Sequence, residues 1–508
     1  MTDAVQLLPI LMVLGLLAVF LIVGLGYKIR DSYDYGVAGR YVGRIGGGAA
    51  IASNWMSAAS FMGMAGLLYL QGYFALAYVI GWTGGYVLLL VLMAGQIRRF
   101  GKYTAPDFVG DRYESSGARL LSAGISVTIS VIYCVAQFKG VGMLFAWLLG
   151  TGYTTGLVVG VVVVISYVVI SGMLGVARNQ QLQYFVLIVS FILPLMVLAK
   201  SLGYFWLLPQ FGYGEAMMDL LDEFSIIFAA PYTGGSLFQW MALCFTLMVG
   251  TAGLPHVLSR FYIQPNVRDA RWSVVWGLFF ISLIYWSAPA YAVFGRLLEA
   301  RQGVFFDAAT ARTTADMIVI STASRGGVPV WLVGLLAAGA VIAAFSTVTG
   351  LLMTGASSLS HDIYYRLINP RASETRKMFL AKGATLTLSV VIFLIALHPP
   401  ALIAEITAVA FALAGNTIFP VFLLGIWWGR ANRFGAIAGM LTGILITFAS
   451  PLFGAIVPLV ATIFPVTSSA MIGAPIVILV MIVVSLLTPP PSAQIRKFLA
   501  EQVHGHLD

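Results

Sequence analysis

Charge is what this sequence has least of. Of 508 residues, 19 are Asp or Glu and 28 are Lys or Arg, so charged side chains make up 9% of the chain. A water-soluble globular domain carries about 25%, which excludes a soluble enzyme and a disordered chain. Cysteine is nearly missing as well. Cys134 and Cys244 both sit inside apolar runs, so neither a disulfide scaffold nor a cysteine metal cluster can be built. No low-complexity tract or tandem soluble repeat occurs. Carboxylates, His and Cys do not cluster at one depth, which argues against a membrane-embedded enzyme.

What is present is apolar: 60% of the residues are hydrophobic. A bilayer core of about 30 Å needs roughly 20 apolar residues per helix. Thirteen such segments are found: Leu7–Gly26, Gly48–Gly72, Tyr73–Ile97, Leu120–Leu149, Tyr153–Leu174, Gln181–Leu202, Leu237–Leu258, Trp272–Phe294, Val330–Ser357, Phe379–Leu397, Leu402–Trp428, Phe434–Phe453 and Ser468–Leu487. The first is too long for a signal-peptide core and no basic region precedes it, so it reads as a retained helix. The chain is thus expected to be an all-α polytopic membrane protein, one transporter-sized domain over 1–508.

The net charge of +9 is a topology signal rather than a mark of a nucleic-acid partner. With connections alternating from side to side, every Lys and Arg falls on one side except Lys200, Arg296, Arg301, Arg312, Arg325 and the intramembrane Lys139. The positive-inside rule makes the crowded side cytoplasmic, with the N-terminus outside and the C-terminus inside. The longest connections, Gly203–Ser236 and Gly295–Pro329, are then external and hold most of the exposed acids, Asp316 among them. They read as vestibule lids or plain connectors.

Two segments are poorly made as helices. The second carries Gly46-Gly47-Gly48 and the small, hydroxylated stretch Ser53-Asn54-Trp55-Met56-Ser57-Ala58-Ala59-Ser60; the seventh carries Gly250-Thr251-Ala252-Gly253-Leu254-Pro255-His256. Glycine weakens a helix, and proline removes a donor and clashes with the preceding turn. Irregular backbone survives in lipid only where protein, water or ligand meets it. The two breaks lie five segments apart, so 48–202 and 237–428 form two five-helix blocks that enter from opposite sides. Residues 7–26 precede them and 434–487 follow. Matched broken helices in inverted repeats point to a transport site; close helix packing by small residues is the plainer alternative. In the ninth segment Ala343, Ser346 and Thr347 share one helix face. A carbonyl and two hydroxyls suit a hard cation, although membrane Ser and Thr often only bond back to their own helix. Ser53 and Met56 would offer freed carbonyls opposite.

These residues resemble a known family. Gly36-Val37-Ala38-Gly39-Arg40, Phe61-Met62-Gly63-Met64-Ala65-Gly66, Thr104-Ala105-Pro106-Asp107-Phe108 and Ala343 with Ser346-Thr347 occur here in the order and spacing of the sodium:solute symporter family, whose members share the leucine-transporter fold. The resemblance covers roughly 7–487. It implies sodium as coupling ion, held by the Ser53, Met56 and Ala343 carbonyls with the Ser346 and Thr347 hydroxyls. It also implies substrate beside the breaks, near Trp55, Ser57, Ala58, Thr251 and Gly253. The stretch Gly250 to Leu258 followed by Arg260-Phe261 is most similar to the acetate and short-chain monocarboxylate branch.

Segments 2, 4, 7 and 9 contain no Asp or Glu, so a buried ammonium substrate would lack a partner. An anion is favoured over an amino acid or polyamine. Lys139, placed about 15 Å below the external surface at 1.5 Å per residue, is a candidate substrate contact, with a pair to Glu405 as the structural alternative. His256 reads as a helix-end residue bonding a carbonyl, or as a titrating gate. The expected function is sodium-coupled uptake of an acetate-like monocarboxylate across a bacterial inner membrane by alternating access. A sodium- or proton-coupled carrier of another solute (amino acid, sugar or vitamin) and a transporter-fold sensor are the alternatives. The partners are then a small solute, sodium and the bilayer.

Overall fold

The computed structural model describes residues 6–25, 43–228, 235–262, 264–304, 306–456 and 465–504. The Gly36–Arg40 motif lies outside them. Among the described residues the chain is helical throughout, with no strand. In chain order the helices begin with α1 (Leu7–Leu25), α2 (Arg44–Trp55), α3 (Met64–Gln71), α4 (Leu76–Leu92), α5 (Ala94–Phe100), α6 (Ala105–Arg112) and α7 (Ser116–Leu149). There follow α8 (Tyr153–Ser201), α9 (Pro209–Phe224), α10 (Leu237–Gly253), α11 (Pro255–Tyr262), α12 (Val267–Gln302), α13 (Ala308–Thr314), α14 (Ile318–Arg325) and α15 (Val330–Ser357). The chain closes with α16 (Glu374–Ala396), α17 (Ile403–Asn416), α18 (Ile418–Trp427), α19 (Arg433–Ile456), α20 (Ala470–Leu487) and α21 (Ala493–Phe498).

By length and composition, eight helices among the described residues can cross a bilayer, or nine when the bent pair α10 and α11 counts as one. Leu7–Val23, Tyr153–Val168 and Arg433–Ala449 are shorter apolar helices. The expected count of thirteen is therefore not reproduced, because helices break and merge where hydropathy alone draws a boundary. Segment 9 matches α15 end to end and runs on as a π-helical stretch, Ser358–Ile368. Segment 8 is longer than expected: α12 continues through residues that the sequence assigns to a loop. The connections 203–236 and 295–329 carry α9, α13 and α14 rather than coil.

Segments 5 and 6 both fall within α8. The Asn179 amide nevertheless donates to the Tyr167 hydroxyl at 2.8 Å. Twelve residues of straight helix would separate them by about 18 Å, so α8 is not a straight rod. The division between segments 2 and 3 falls at Gly72, whose φ of +54° ends α3. A left-handed glycine likewise ends α7, where Gly150 has φ +60°.

Both weak segments are broken. α2 stops at Trp55; Met56 leaves helical geometry with ψ 82°, and a π-helical turn, Ala59–Gly63, leads into α3. α10 stops at Gly253, Leu254 is extended with ψ 119°, and α11 restarts at Pro255 with a 42° bend. A third break, not anticipated, divides segment 11 at Thr417. There the Asn416 amide donates to Thr447 at 2.9 Å and Ser469 at 3.0 Å, so this pair joins helices.

Small residues set the crossings around the breaks. A Cβ on Gly48 would lie 2.5 Å from the Trp276 Cβ, and one on Gly250 would lie 2.4 Å from the Phe411 carbonyl oxygen. Gly85 is tighter still, with a Cβ 2.3 Å from the Thr251 Cβ. Overpacking a filled contact costs about 1–3 kcal/mol, whereas Gly to Ala in an open helix position gains about 1 kcal/mol. Gly85→Ala is thus expected to lower the thermal midpoint of the detergent-solubilised protein. Gly124→Ala, with nothing within 4 Å of its Cβ, should not. Equal midpoints would show that the α4–α10 crossing is not close-packed.

Candidate cation and solute site

The break between α2 and α3 lies directly against α15. The Ser346 hydroxyl is 2.6 Å from the Ser53 carbonyl oxygen and 3.0 Å from that of Ala343. Thr347 donates to the Asn54 carbonyl at 2.8 Å. A hydroxyl has one proton, and Ser346 faces two carbonyl oxygens, so this knot holds more acceptors than donors. All five residues are buried. Ser53, Ala343, Ser346 and Thr347 are therefore brought together as expected. Met56 sits at the break, where its N–H donates to Ala52 at 2.8 Å. Asn54, which sequence reasoning passed over, supplies the carbonyl that Thr347 meets.

Trp55, an expected solute contact, ends α2 at the break. Its indole N–H donates to the Tyr285 hydroxyl at 2.9 Å, and the same hydroxyl is 2.9 Å from that of Ser60. Tyr86, Phe411 and Trp82 meet the indole edge-on, with ring centroids 4.9, 5.7 and 6.3 Å away. Ser57 and Ala58 are fully buried beside it. Thr251 spends its hydroxyl on Leu247 of its own helix at 2.8 Å, the plainer reading of a membrane threonine. Gly253 has no room for a side chain: a Cβ would lie 2.5 Å from the Ala414 carbonyl oxygen.

The freed N–H of Ala58 is met by the Gln137 side chain at 2.8 Å. Sequence reading stopped at Lys139, two residues further on. Residues i and i+2 of a helix do not face the same way, and Lys139 points elsewhere. Its ammonium donates to Asp316 at 2.6 Å and to the Ala401 carbonyl at 3.0 Å. Asp316, expected among exposed acids, is buried and also accepts from the Ile403 N–H at 3.2 Å. The Lys139–Glu405 pair is thereby corrected: Glu405 holds Arg312 at 2.7 Å and caps α17 through Leu402. With its charge taken by Asp316, Lys139 is no longer a good candidate for substrate contact. His256 is corrected too, since neither ring nitrogen finds a partner among the described residues.

A cavity of about 550 Å³ opens between Tyr78, Ile132, Leu243, Glu405 and Val409. Tyr78 stands 5.3 Å from Trp82, so aromatic rings separate this vestibule from Trp55. At the far end, the Thr104–Phe108 motif forms a cap and a staple. Thr104 accepts from the Asp107 N–H at 3.1 Å and donates to Asp362 at 2.7 Å. Asp107 meets Arg119 at 2.5 Å, His361 at 3.1 Å and Arg366 at 3.3 Å. Burial alone would raise the Asp107 carboxyl, but His361, Arg366 and Arg119 outweigh it and hold it well below the usual carboxylate range.

Two helices broken at mid-depth and apposed to a hydroxyl-bearing third define a transporter rather than an enzyme. The comparisons place it more narrowly. The model of the Sodium:solute symporter family matches residues 35–443. An uncharacterised symporter of Cupriavidus necator is 30% identical over 93% of this chain and 90% of its own length. The uncharacterised symporter YwcA of Bacillus subtilis is 31% identical, over 82% and 80%. A Na+-coupled sialic acid symporter, solved substrate-bound and outward-open, superposes with a TM-score of 0.78 at 16% identity, covering 96% of this chain and 99% of that one. Mhp1, a nucleobase-cation-symport-1 transporter, gives 0.53 at 12% identity, over 91% and 97%. The chain belongs to the sodium:solute symporter family, and its fold is leucine-transporter-like.

Removing one partner of a buried ion pair costs about 3–5 kcal/mol, whereas replacing both by apolar groups is often neutral. Asp316→Asn is therefore expected to destabilise the protein strongly, and Lys139→Met with Asp316→Leu to recover most of the loss. Denaturant unfolding in detergent of the wild type, Asp316→Asn, the single variants Lys139→Met and Asp316→Leu, and their double variant measures this. Additive effects would mean that the two side chains do not act as a pair.

Proposed function

We propose that this protein couples inward sodium flow to uptake of a small organic anion, an acetate-like monocarboxylate, by alternating access. The observation that carries the reading is the Ser346 hydroxyl set between the Ser53 and Ala343 carbonyls across a break in the membrane. Sodium would sit between these oxygens as the Ser346 O–H turns away and offers its lone pairs, with Thr347 and Met56 completing the shell. By neutralising the carbonyls it would fix α2 against α15. The Na+-coupled symporter of the same fold supports the ion.

The solute would sit beside the break among Trp55, Ser57, Ala58, Thr251 and Gly253. Its charge class follows from what surrounds it: α2, α7, α10 and α15 bear no carboxylate, and Asp316 is already engaged by Lys139. A cationic solute would find no counter-charge. One five-helix pair set would rock against the rest around the fixed site, with the N-terminus outside, the C-terminus in the cytoplasm, and the bacterial inner membrane as the site of action. A monocarboxylate moved with one sodium carries no net charge, so the sodium concentration gradient drives it; a second sodium would add about 2.3 kcal/mol per 100 mV, roughly fiftyfold accumulation.

Uptake into proteoliposomes, with labelled carboxylates, amino acids and sugars and with or without a sodium gradient, tests the reading. A hydrogen-bonding group that meets a charge is worth about 1.5–3 kcal/mol. Ser346→Ala should therefore raise the sodium concentration for half-maximal uptake at least tenfold. Uptake indifferent to sodium, or equal in this variant, would overturn sodium coupling; uptake of sugars or amino acids in preference to acetate would overturn the solute class.

A further inference from the structure

Arg260, on α11, is fully buried and reaches across to α2, the other broken helix. Its Nη2 donates to the Asn54 side-chain oxygen at 2.8 Å, while Nε and Nη1 reach no acceptor among the described residues. His256, one turn earlier on α11, is likewise buried with both ring nitrogens unpartnered. Neither α2 nor α11 contains an Asp or Glu beside it. A second fully buried arginine shows how the fold treats a structural guanidinium. Arg112 gives Nε, Nη1 and Nη2 to the Gly425, Ala431 and Trp428 carbonyls at 2.6, 3.1 and 3.0 Å. A cation left half-satisfied inside a bilayer protein is costly unless an anion meets it.

We propose that Arg260, with His256 as a second donor, forms a carboxylate-binding station on the inner flank of the two breaks. The inference rests on the anion reading above and gives it a residue. The planar guanidinium suits a carboxylate, which accepts several N–H groups at once. The station is wired to the cation knot. Asn54 takes Arg260 on its side-chain oxygen and Thr347 on its carbonyl, and the Gln180 amide spans from that side-chain oxygen at 3.3 Å to the Ser346 carbonyl at 3.2 Å. Backbone at Gly350 makes the crossing possible, since a Cβ there would lie 2.2 Å from the Asn54 oxygen and 3.0 Å from Arg260 Nη2. An anion at Arg260 offsets the repulsion between the guanidinium and sodium at Ser346. Anion and sodium therefore raise each other's affinity by the same factor.

Thermal stabilisation of the purified full-length protein by acetate, acetamide and chloride, in buffer free of other halides and carboxylates, reads the station directly. Acetate should stabilise the wild type and acetamide should not; equal stabilisation by chloride would make this a halide site and overturn the carboxylate assignment. Arg260→Gln should raise the acetate concentration for half-effect about tenfold or more while keeping stabilisation by sodium. Arg260→Lys, which keeps the charge in case the first variant fails to fold, should give a smaller rise. Asn54→Asp places a carboxylate against Arg260 and should stabilise the protein without ligand while abolishing the acetate response. Wild type and Arg260 variants that bind acetate equally would overturn the station and leave the anion reading standing. A wild type that ignores acetate but responds to sodium and another solute would remove both.

Discussion

Lipid offers nothing to a peptide group, so each N–H and C=O within the bilayer must be met by protein, by water or by ligand. Two helices here stop halfway, and the structure depends on how the released groups are answered. On the side of α2 and α3, Gln137 takes the Ala58 N–H, and Ser346 and Thr347 take the Ser53 and Asn54 carbonyls. Donors and acceptors are not treated alike. The freed N–H meets a neutral amide fixed on a long helix. The freed carbonyls meet hydroxyls, whose O–H groups can turn away so that the same oxygen atoms face an alkali ion. That asymmetry suits one break both to helix packing and to the cation proposed for it.

Packing then fixes where the breaks can be. Gly48, Gly85, Gly250 and Gly253 admit neighbouring backbone or side chains at distances that any Cβ would forbid. They hold α2 against α12 and α10 against α4 and α17. The aromatic group of Trp55, Tyr86, Phe411 and Trp82 fills the space beside the first break and shuts it from the 550 Å³ vestibule. Helix approach and ring packing thus leave the polar knot dry, which strengthens every charge interaction inside it.

Much of this was legible in the chain because its signals are local. Long apolar runs gave the helices. Gly250, Gly253 and Pro255 gave the bend after α10, and the small residues around Ser53 gave the stop of α2. The spacing of Ala343, Ser346 and Thr347 gave one face of α15. What stayed hidden depends on partners distant in sequence. Lys139 stood out by its charge, yet its partner Asp316 is 177 residues away on a connection that reads as exposed. Gln137 and Tyr285 are ordinary residues until the fold sets them against a released N–H and an indole. Arg260 appeared only as part of a family-like stretch; its unfilled nitrogens become visible once the surroundings are known. The count of thirteen is not confirmed over the described residues, since hydropathy registers neither the continuous helix of α8 nor the stop at Thr417.

Gln137 and Lys139 leave α7 in different directions, one gripping the interrupted backbone at the centre and the other clasping Asp316 in the segment between α13 and α14. A single rigid rod therefore has its hands on two parts at once. If α7 rolls about its own axis, the core and the rim shift in opposite senses, as the two pans of a balance do. The gating of such a machine would be timed by geometry alone, without a messenger running between its ends.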